Sequence, residues 1–401
     1  MPLSRRQFIA QAAGASALAI AARPAFAEET ASPVFAIDPS AAGTDSARTA
    51  GEMELALVAD APSTPTGLAI SPGGRVFVMM PRFTADVPYT LGEVSRDGTV
   101  RPYPDAATNE VKPDQPQRSL MHVPNGVFDG EGHLWVLDAG LPDGKGPPVP
   151  GGAKLVQIDL ETDRILRVVP LDPGTVPTSS LNDLRVDKKD GRAHAFVSDQ
   201  GQNGEGAILA VDLKTERVVR RLAGHASTQS QKGLAKFVEH RPVVLDSGTG
   251  PARSVQGGAN GIALGPDGRR LYYAPLIGRH LYAVETQALL DSEQSDADIA
   301  ASVEDLGEKG MTGGLGADAM DRVYLTLQEQ NAVARRHPDG RIETIASDPR
   351  LIWADTIVIT EDRWLYVSAA QVNRRPEYNK GTDLQKPPYA ILRVRIDAGP
   401  A

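Results

Sequence analysis

The run ANGIALGPDGRRLYYAPL at residues 259–276 decides the fold, because it contains two short strands joined by a turn. Ile262–Leu264 and Leu271–Tyr273 are apolar segments of strand length. Gly265–Gly268 lies between them and has the composition of a tight turn, with Pro, Asp and Gly in succession. A polar residue, Asn260, precedes the first strand. The run therefore predicts an antiparallel β-hairpin with a polar residue at its entrance.

The same pattern occurs five more times along the chain. The other copies are PTGLAISPGGRVFVMM (65–80), PNGVFDGEGHLWVLD (124–138), LNDLRVDKKDGRAHAFVSD (181–199), TGGLGADAMDRVYLTL (312–327) and WADTIVITEDRWLYVSAA (353–370). Further apolar strands lie between the copies, which gives about four strands in each unit of roughly 40 to 60 residues. This repetition predicts an all-β protein, a six-bladed β-propeller that forms a single domain over residues 53–398. Two separate β domains are the alternative.

Other segments of the chain complete this picture. Met53–Val58 and Ile391–Ile396 are both apolar-rich, and we expect them to share the last blade and close the ring. The longest interval between hairpins contains His225–Gly258, which we expect to form a flap over one face. Helical patterning is weak, and short helices are predicted only near Gln287–Asp291 and Gln231–Val238.

The first 27 residues have the features of an export signal. Arg5 and Arg6 precede an apolar stretch, Ile9–Ala22, and Ala25–Ala27 ends in the small residues that a signal peptidase reads. This combination resembles a twin-arginine signal, with a membrane anchor as the alternative. Residues 28–52 are predicted to be a flexible leader. We therefore expect a periplasmic or extracellular protein with no membrane span after signal removal.

Composition excludes several classes of function. The 401 residues carry a formal net charge of -9, and no basic stripe suited to nucleic acid is visible. Cysteine is absent, so disulfides, thiol nucleophiles and cysteine-ligated zinc are excluded. The sequence predicts a small-molecule ligand and identifies no protein partner.

Polar residues recur where the strands of a propeller meet the central channel. In each blade the residue that begins the first strand and the residue that follows the second strand reach the same face. The first set is Thr66, Asn125, Asn182, Asn260, Gly313 and Asp355, and the second set includes Arg82, Asp138, Asp199, Gln328 and Gln371. Such a ring can bind a polar ligand or coordinate Ca²⁺ through its oxygens. Asx turns, in which these side chains bond their own backbone, are the structural alternative.

The order of these motifs resembles the major royal jelly/yellow protein family. The resemblance is carried by PTGLAISPGGRVFVMMPRF (65–83), HLWVLDAG (133–140), GGAKLVQIDL (151–160), LGEKG (306–310), DPRLIWADTI (348–357) and PPYAILRVRID (387–397). It covers about Met53 to Asp397 and implies a six-bladed propeller. It also implies a dopachrome-converting enzyme, an amine-binding protein or a protein with a nutritional role.

A more distant resemblance is to the gluconolactonase/senescence marker family, which implies a divalent metal held by Glu, Asn, Asn and Asp. Asn182 and Asn260 match the two Asn positions, but the first-blade region has Thr64–Thr66 in place of Glu, and Gly313 replaces the later Asp. No cofactor is firmly implied. If Ca²⁺ or another divalent metal binds, the expected ligands are Asn182, Asn260 and Asp355.

Three functions are compatible with these residues. The first is a propeller that binds a small polar or aromatic molecule at the channel mouth and isomerises it as a dopachrome tautomerase does. The others are a metal-dependent lactonase-like hydrolase and a non-enzymatic periplasmic binding protein. For the first, the expected catalytic carboxylates are Asp355 and Asp199, and the expected ligand-binding residues are Asn125, Asp138, Asn182, Asn260 and Gln371.

Overall fold

The computed structural model describes residues 53–401, and the predicted signal (1–27) and leader (28–52) lie outside this range. Within it, 24 of the strands form six four-stranded antiparallel sheets. The first strand of the described residues is β1 (Glu54–Ala59), and the next four strands form the first blade: β2 (Gly67–Ile70), β3 (Val76–Met79), β4 (Leu91–Val94) and β5 (Val100–Pro102).

The following blades repeat this order. The second contains β6 (Asn125–Phe128), β7 (His133–Ala139), β8 (Ala153–Asp159) and β9 (Arg164–Pro170). The third contains β10 (Leu181–Asp187), β11 (His194–Asp199), β12 (Ala207–Asp212) and β13 (Arg217–Arg221). A flap then carries β14 (Phe237–Val238), β15 (Arg241–Pro242), β16 (Val244–Leu245) and β17 (Arg253–Ser254).

Three blades follow the flap. The fourth contains β18 (Ala259–Leu264), β19 (Arg270–Pro275), β20 (His280–Glu285) and β21 (Glu304–Glu308). The fifth contains β22 (Thr312–Ala317), β23 (Val323–Leu327), β24 (Ala332–Arg336) and β25 (Ile342–Ser347). The sixth contains β26 (Ala354–Ile359), β27 (Trp364–Ala369) and β28 (Tyr389–Arg395), with β1 as its outer strand.

Helices are short and lie outside the blades. They are α1 (Ala106–Asn109), α2 (Thr286–Leu290) and α3 (Asp296–Ala301). Turns of 3₁₀ helix lie at Pro116–Arg118, Asp172–Gly174, Lys189–Gly191, Ala226–Thr228, Val372–Arg374 and Pro376–Tyr378. The helix predicted near Gln287–Asp291 is confirmed as α2. The one predicted over Gln231–Val238 is wrong, because that segment belongs to the flap and enters β14. None of the helices within residues 53–401 has the length and apolar character needed to cross a membrane.

The predicted six-bladed propeller is confirmed. The first strands of neighbouring blades contact one another around a closed ring, which makes β2, β6, β10, β18, β22 and β26 the walls of a central channel. The ring is closed by β1, which pairs antiparallel with β28 from Glu54 opposite Arg393 to Ala59 opposite Tyr389. The expected sharing of the last blade by the two segments is therefore confirmed.

The hydrophobic core consists of layers between adjacent blades. One layer joins Trp135 and Leu155 of the second blade to Val197 and Leu209 of the third. Corresponding layers lie between every other neighbouring pair, including the pair formed by the sixth and first blades. Burial of apolar surface between blades thus holds the ring together and leaves the strand ends free to carry polar groups.

The two faces of the ring differ in what covers them. We call the face where the channel-lining strands begin the upper face, and the face with the turns to the second strands the lower face. The flap packs on the upper face, where Val238 and Val255 join Ile352, Trp353 and other buried residues in a separate apolar cluster. The predicted position of the flap is therefore confirmed.

Candidate functional site

The upper ends of four channel-lining strands are irregular. The pairing register shifts between Leu181 and Leu184 in the third blade, and at the equivalent places in blades four, five and six. Such bulges redirect side chains and are frequent beside functional sites. Three of the predicted polar residues, Asn182, Asn260 and Asp355, lie on these bulges. We call these three residues the upper ring.

Asp355 is the carboxyl group of the upper ring. Its pKa is raised to about 7, mainly by burial and also by the nearby Asp183 carboxylate. The positive charge of Lys236 and a hydrogen bond from the Trp353 side chain act in the opposite direction. Asp355 nevertheless keeps partial exposure, as Asn182 does, so the two side chains border accessible space. A carboxyl group with a pKa near neutrality can accept or donate a proton.

The flap places a lysine beside this carboxyl group. Lys236 is 1% exposed, donates a hydrogen bond to Oε1 of Gln328, and lies with Nζ 5.0 Å from the centre of the Trp353 ring. Burial lowers its pKa to about 7, while Asp355 and Glu329 favour the charged form. Lys236 was not among the predicted site residues. It lies in a loop without a repeat signal, and only the folded chain brings it to the upper ring.

A second buried lysine lies near the first. Nζ of Lys309 donates to the backbone oxygen of Gly310 at 2.8 Å. The pKa of Lys309 is lowered to about 7, mainly by burial and also by the charges of Lys236 and Arg279. Lys309 is part of the LGEKG motif on which the family resemblance depends, so the sequence contained a signal that site prediction did not use.

The two asparagines differ in their freedom. Asn260 is buried and its Nδ2 donates to Oε1 of Gln200 at 2.9 Å, whereas Asn182 is only partly buried. Beside them, Asp183 accepts hydrogen bonds from the backbone of Leu184 and Ile262. The backbone of the upper ring is thus held by Asp183, while Asn182 and Asp355 retain contact with accessible space.

Arg185 separates the upper ring from the rest of the channel. Its guanidinium donates to Oδ1 of Asp183 at 2.8 Å and to the backbone oxygen of Leu315 in the fifth blade at 2.7 Å. Because Arg185 starts in the third blade, the bond to Leu315 joins two blades that are not neighbours in the ring. Arg185 also lines a cavity that opens on the lower face and whose lining does not include the upper ring.

Asp138 and Asp199 occupy equivalent places, but they point into the protein. Asp138 accepts from the backbone of Met121, His122 and Gly140 and pairs with Lys154 at 2.6 Å. It is fully buried. Its four partners give it the role of a clamp between the loop before β6 and the outer strands.

Asp199 repeats this arrangement in the third blade. It accepts from the backbone of Ser180 and Gly201 and pairs with Arg220 at 2.7 Å. Both oxygens are engaged and the side chain is fully buried. The expectation that Asp199 is a catalytic base is therefore replaced by a structural role, because its lone pairs are already used to hold the loops.

The remaining predicted residues, Gln371 and Asn125, have other partners. Gln371 adopts a left-handed backbone conformation with φ 54° and bonds both backbone groups of Lys386, so it fastens a loop of the sixth blade. Asn125 is buried and borders the lower cavity, with Nδ2 3.4 Å from Oγ1 of Thr356.

The upper ring does not fit a divalent metal. It provides two amides and one carboxyl group, whereas hard cations prefer several carboxylates. The positive charge facing Asp355 comes from Lys236. Gln328 fills the place opposite Gly313, where an added Cβ would lie 2.3 Å from Nε2. The upper ring therefore offers a divalent metal a single carboxyl group, on which the charge of Lys236 already acts.

A group with metal-binding potential lies instead on the lower face. Ligand atoms of Asp129, Glu131 and His133 lie within 4.8 Å of one another. Lys188 contacts both carboxylates, with Nζ 3.6 Å from Asp129. Trp135 and His133 also bond Oδ2 of Asp129. A metal would have to displace the lysine from this group.

The fold and the upper ring together define a six-bladed propeller with a partly exposed carboxyl group, and a buried lysine that acts on it, at one end of its channel. The sequence profile of the major royal jelly protein family matches residues 127–399, and the chain belongs to this family. Major royal jelly protein 1 of Apis mellifera is 28% identical over 239 residues, which are 56% of this chain and 51% of the relative. Protein yellow of Drosophila melanogaster is 28% identical over 290 residues, which are 66% of this chain and 49% of the relative. The matches span about half the length of these relatives.

Solved structures agree on the fold. A calcium-binding protein, regucalcin, from Agrobacterium tumefaciens superposes with a TM-score of 0.53 at 14% identity, covering 86% of this chain and 95% of the other. A gluconolactonase from Xanthomonas campestris superposes with a TM-score of 0.51 at 12% identity, covering 86% of this chain and 90% of the other. At these identities the similarity establishes the propeller architecture alone.

Proposed function

We propose that this protein binds a small polar or aromatic molecule at the upper ring and isomerises it by moving a proton. The observation that carries the proposal is the mutual electrostatic effect of Asp355, which is partly exposed at the channel end, and the buried Lys236. An isomerisation of this kind needs one group that removes a carbon-bound proton and another that returns one.

Asp355 is the base and Lys236 the acid in this mechanism. The Asp355 carboxylate removes a proton from a substrate carbon, and the electron pair of the broken C–H bond shifts into the conjugated system. Lys236 delivers a proton to the oxygen or carbon at the far end of that system. Transfer of the proton from Asp355 to Lys236 then restores both groups, so the reaction has no net consumption of protons.

Other residues bind and orient the substrate. Asn182 retains accessible surface beside Asp355 and can bond a substrate oxygen, while Asn260 is tied to Gln200 and shapes the wall. The side chain of the buried Trp353 interacts with both groups, because Nζ of Lys236 lies 5.0 Å from its ring centre and it hydrogen-bonds Asp355. These features favour a planar molecule with polar substituents, such as a catechol or indole derivative.

The metal-dependent hydrolase has less support, because the positive charge that acts on Asp355 comes from Lys236. A purely binding function remains the outcome to expect if no substrate is converted. We further propose that the protein is exported to the periplasm or beyond, on the basis of the paired arginines and Ala25–Ala27.

The test is turnover of dopachrome and a panel of catechols and indoles, followed by absorbance with the purified protein. Asp355→Asn and Lys236→Met should each lower kcat by about 100-fold or more while ligand binding persists. Lys232→Met is the matched control, because Lys232 is exposed in the same segment. Since both groups have a pKa near 7, kcat should peak near neutral pH.

The outcomes separate the possibilities. Turnover that survives both substitutions would contradict the mechanism. Binding without turnover, weakened by Asn182→Ala, would replace the enzyme with a binding protein. Lactone hydrolysis that disappears with EDTA would favour the hydrolase.

A further inference from the structure

The lower half of the channel contains a cavity of about 470 Å³ that opens on the lower face. Its walls come from the channel-lining strands and are mainly apolar. They include Leu68, Ile70, Phe128, Leu264, Ile357 and Ile359. A concave apolar cavity of this size is typical of a small-molecule site. The proposed reaction does not use this space.

A polar group without a partner lies among the lining residues. Asn125 is 4% exposed, and its Oδ1 has no hydrogen-bond partner within residues 53–401. Its orientation is set by Thr356, whose hydroxyl donates to the backbone oxygen of Thr66 at 2.9 Å and so can only accept from Nδ2 of Asn125. Buried acceptors are nearly always paired. Oδ1 of Asn125 therefore calls for a donor from outside the chain.

The nearby charge is already compensated. Arg185 lines the cavity, but its guanidinium bonds Asp183 and the backbone oxygens of Leu184 and Leu315. The other charged residues of the lining, among them Lys188, Lys189, Glu361 and Asp362, lie in the turns that border the cavity, so a charged ligand held deeper among the apolar strand residues would be costly to bury. The chemistry favours a neutral molecule.

We propose that the lower cavity is a second ligand site, which binds a neutral, flat, apolar molecule with one hydroxyl or N–H donor directed at Asn125. This site is separate from the upper ring, because the cavity lining contains none of Asn182, Asn260 and Asp355. It goes beyond the proposed isomerase and does not depend on it.

The experiment compares two fluorescent probes, 2-naphthol and naphthalene, which share an apolar body and differ by one hydroxyl donor. Titration of the purified protein should give about tenfold tighter binding of 2-naphthol than of naphthalene. Asn125→Leu removes the acceptor and keeps the size, so the two probes should then bind alike. Ile359→Trp narrows the cavity and should weaken both probes.

Variants of the upper ring provide the controls. Asp355→Asn and Asn182→Ala should leave 2-naphthol binding unchanged, and a melting curve for each variant checks folding. If Asn125→Leu fails to fold, Ile359→Trp decides the question. The proposal is overturned if neither probe binds, if binding is unchanged in both lower-cavity variants, or if it is lost in the upper-ring variants instead.

Discussion

The two ends of the central channel are built from the same six strands, yet they carry different chemistry. At the upper end the strands of blades three to six are bulged, and Asn182, Asn260 and Asp355 lie on the bulges. At the lower end the same strands pair regularly and present apolar side chains to the cavity. A bulge inserts an extra residue that the pairing does not constrain. The comparison shows how one repeated hairpin can supply both a reactive end and an apolar end.

The upper end also contains two kinds of carboxyl group. Asp138 and Asp199 each accept hydrogen bonds from backbone amides and form an ion pair with a basic side chain. Asp355 has few partners, and burial raises its pKa to about 7. A carboxylate whose oxygens are all hydrogen-bonded or ion-paired has a structural role. A carboxyl group with few such partners is available for chemistry.

The largest expected effect tests this division. Asp138→Ala leaves Lys154 as an unpaired buried charge and removes the acceptor for three backbone groups. We expect a loss of about 3–5 kcal/mol in the free energy of unfolding. Asp355→Asn should lower the free energy of unfolding far less, because it replaces a carboxyl group whose ionisation is unfavourable in the folded protein. Urea unfolding of the two variants makes the comparison, and equal losses would show that the division is false.

A second prediction concerns the pH dependence of stability. The pKa of Asp355 rises from 3.8 to about 7 on folding, so its contribution to stability is present at low pH and is lost as the pH rises from about 4 to 7. The pKa of Lys236 falls from 10.5 to about 7, so its cost is relieved as the pH rises from about 7 to 10. Stability should therefore dip near pH 7.

The substitutions separate the two sides of this dip. Asp355→Asn should remove the fall below pH 7, and Lys236→Met should remove the recovery above it. Because each charge favours the other, we expect each side to amount to about 2 kcal/mol or less. Urea midpoints measured at several pH values provide the readout. Profiles that are identical in wild type and both variants would show that the pair does not titrate on folding.

Much of the fold could be predicted from the sequence, because each hairpin carries its own turn and strands. The GPDG turn at residues 265–268 and the apolar segments beside it specify the hairpin locally. Closure was also predictable, since the alternation of β1 and β28 fits two outer strands of one blade. The local sequence pattern is sufficient to predict a structural element wherever residues close together in the chain determine it.

The site was predicted only in part, because its chemistry depends on residues that are distant in sequence. Asn182, Asn260 and Asp355 could be placed at one end of the channel from their repeat positions. The inward orientation of the Asp199 side chain could not be predicted, since its partner Arg220 lies two strands away. Lys236 comes from a flap with no periodic pattern, and its contact with Gln328 joins residues 92 positions apart. Spacing in the sequence contains no signal for such contacts.

The smallest expected effect is that of calcium, which compares the two ends directly. Millimolar Ca²⁺ should leave the melting temperature of the wild type nearly unchanged, because Lys236 faces Asp355 and Lys188 contacts Asp129 and Glu131. A ligand at 100 times its dissociation constant would add about 2.7 kcal/mol and give a clear shift. A wild-type shift that Asp355→Ala abolishes would return the metal to the upper ring. A shift abolished by Glu131→Gln would place it on the lower face, and one that appears only in Lys188→Ala would show that this lysine takes the place of a cation.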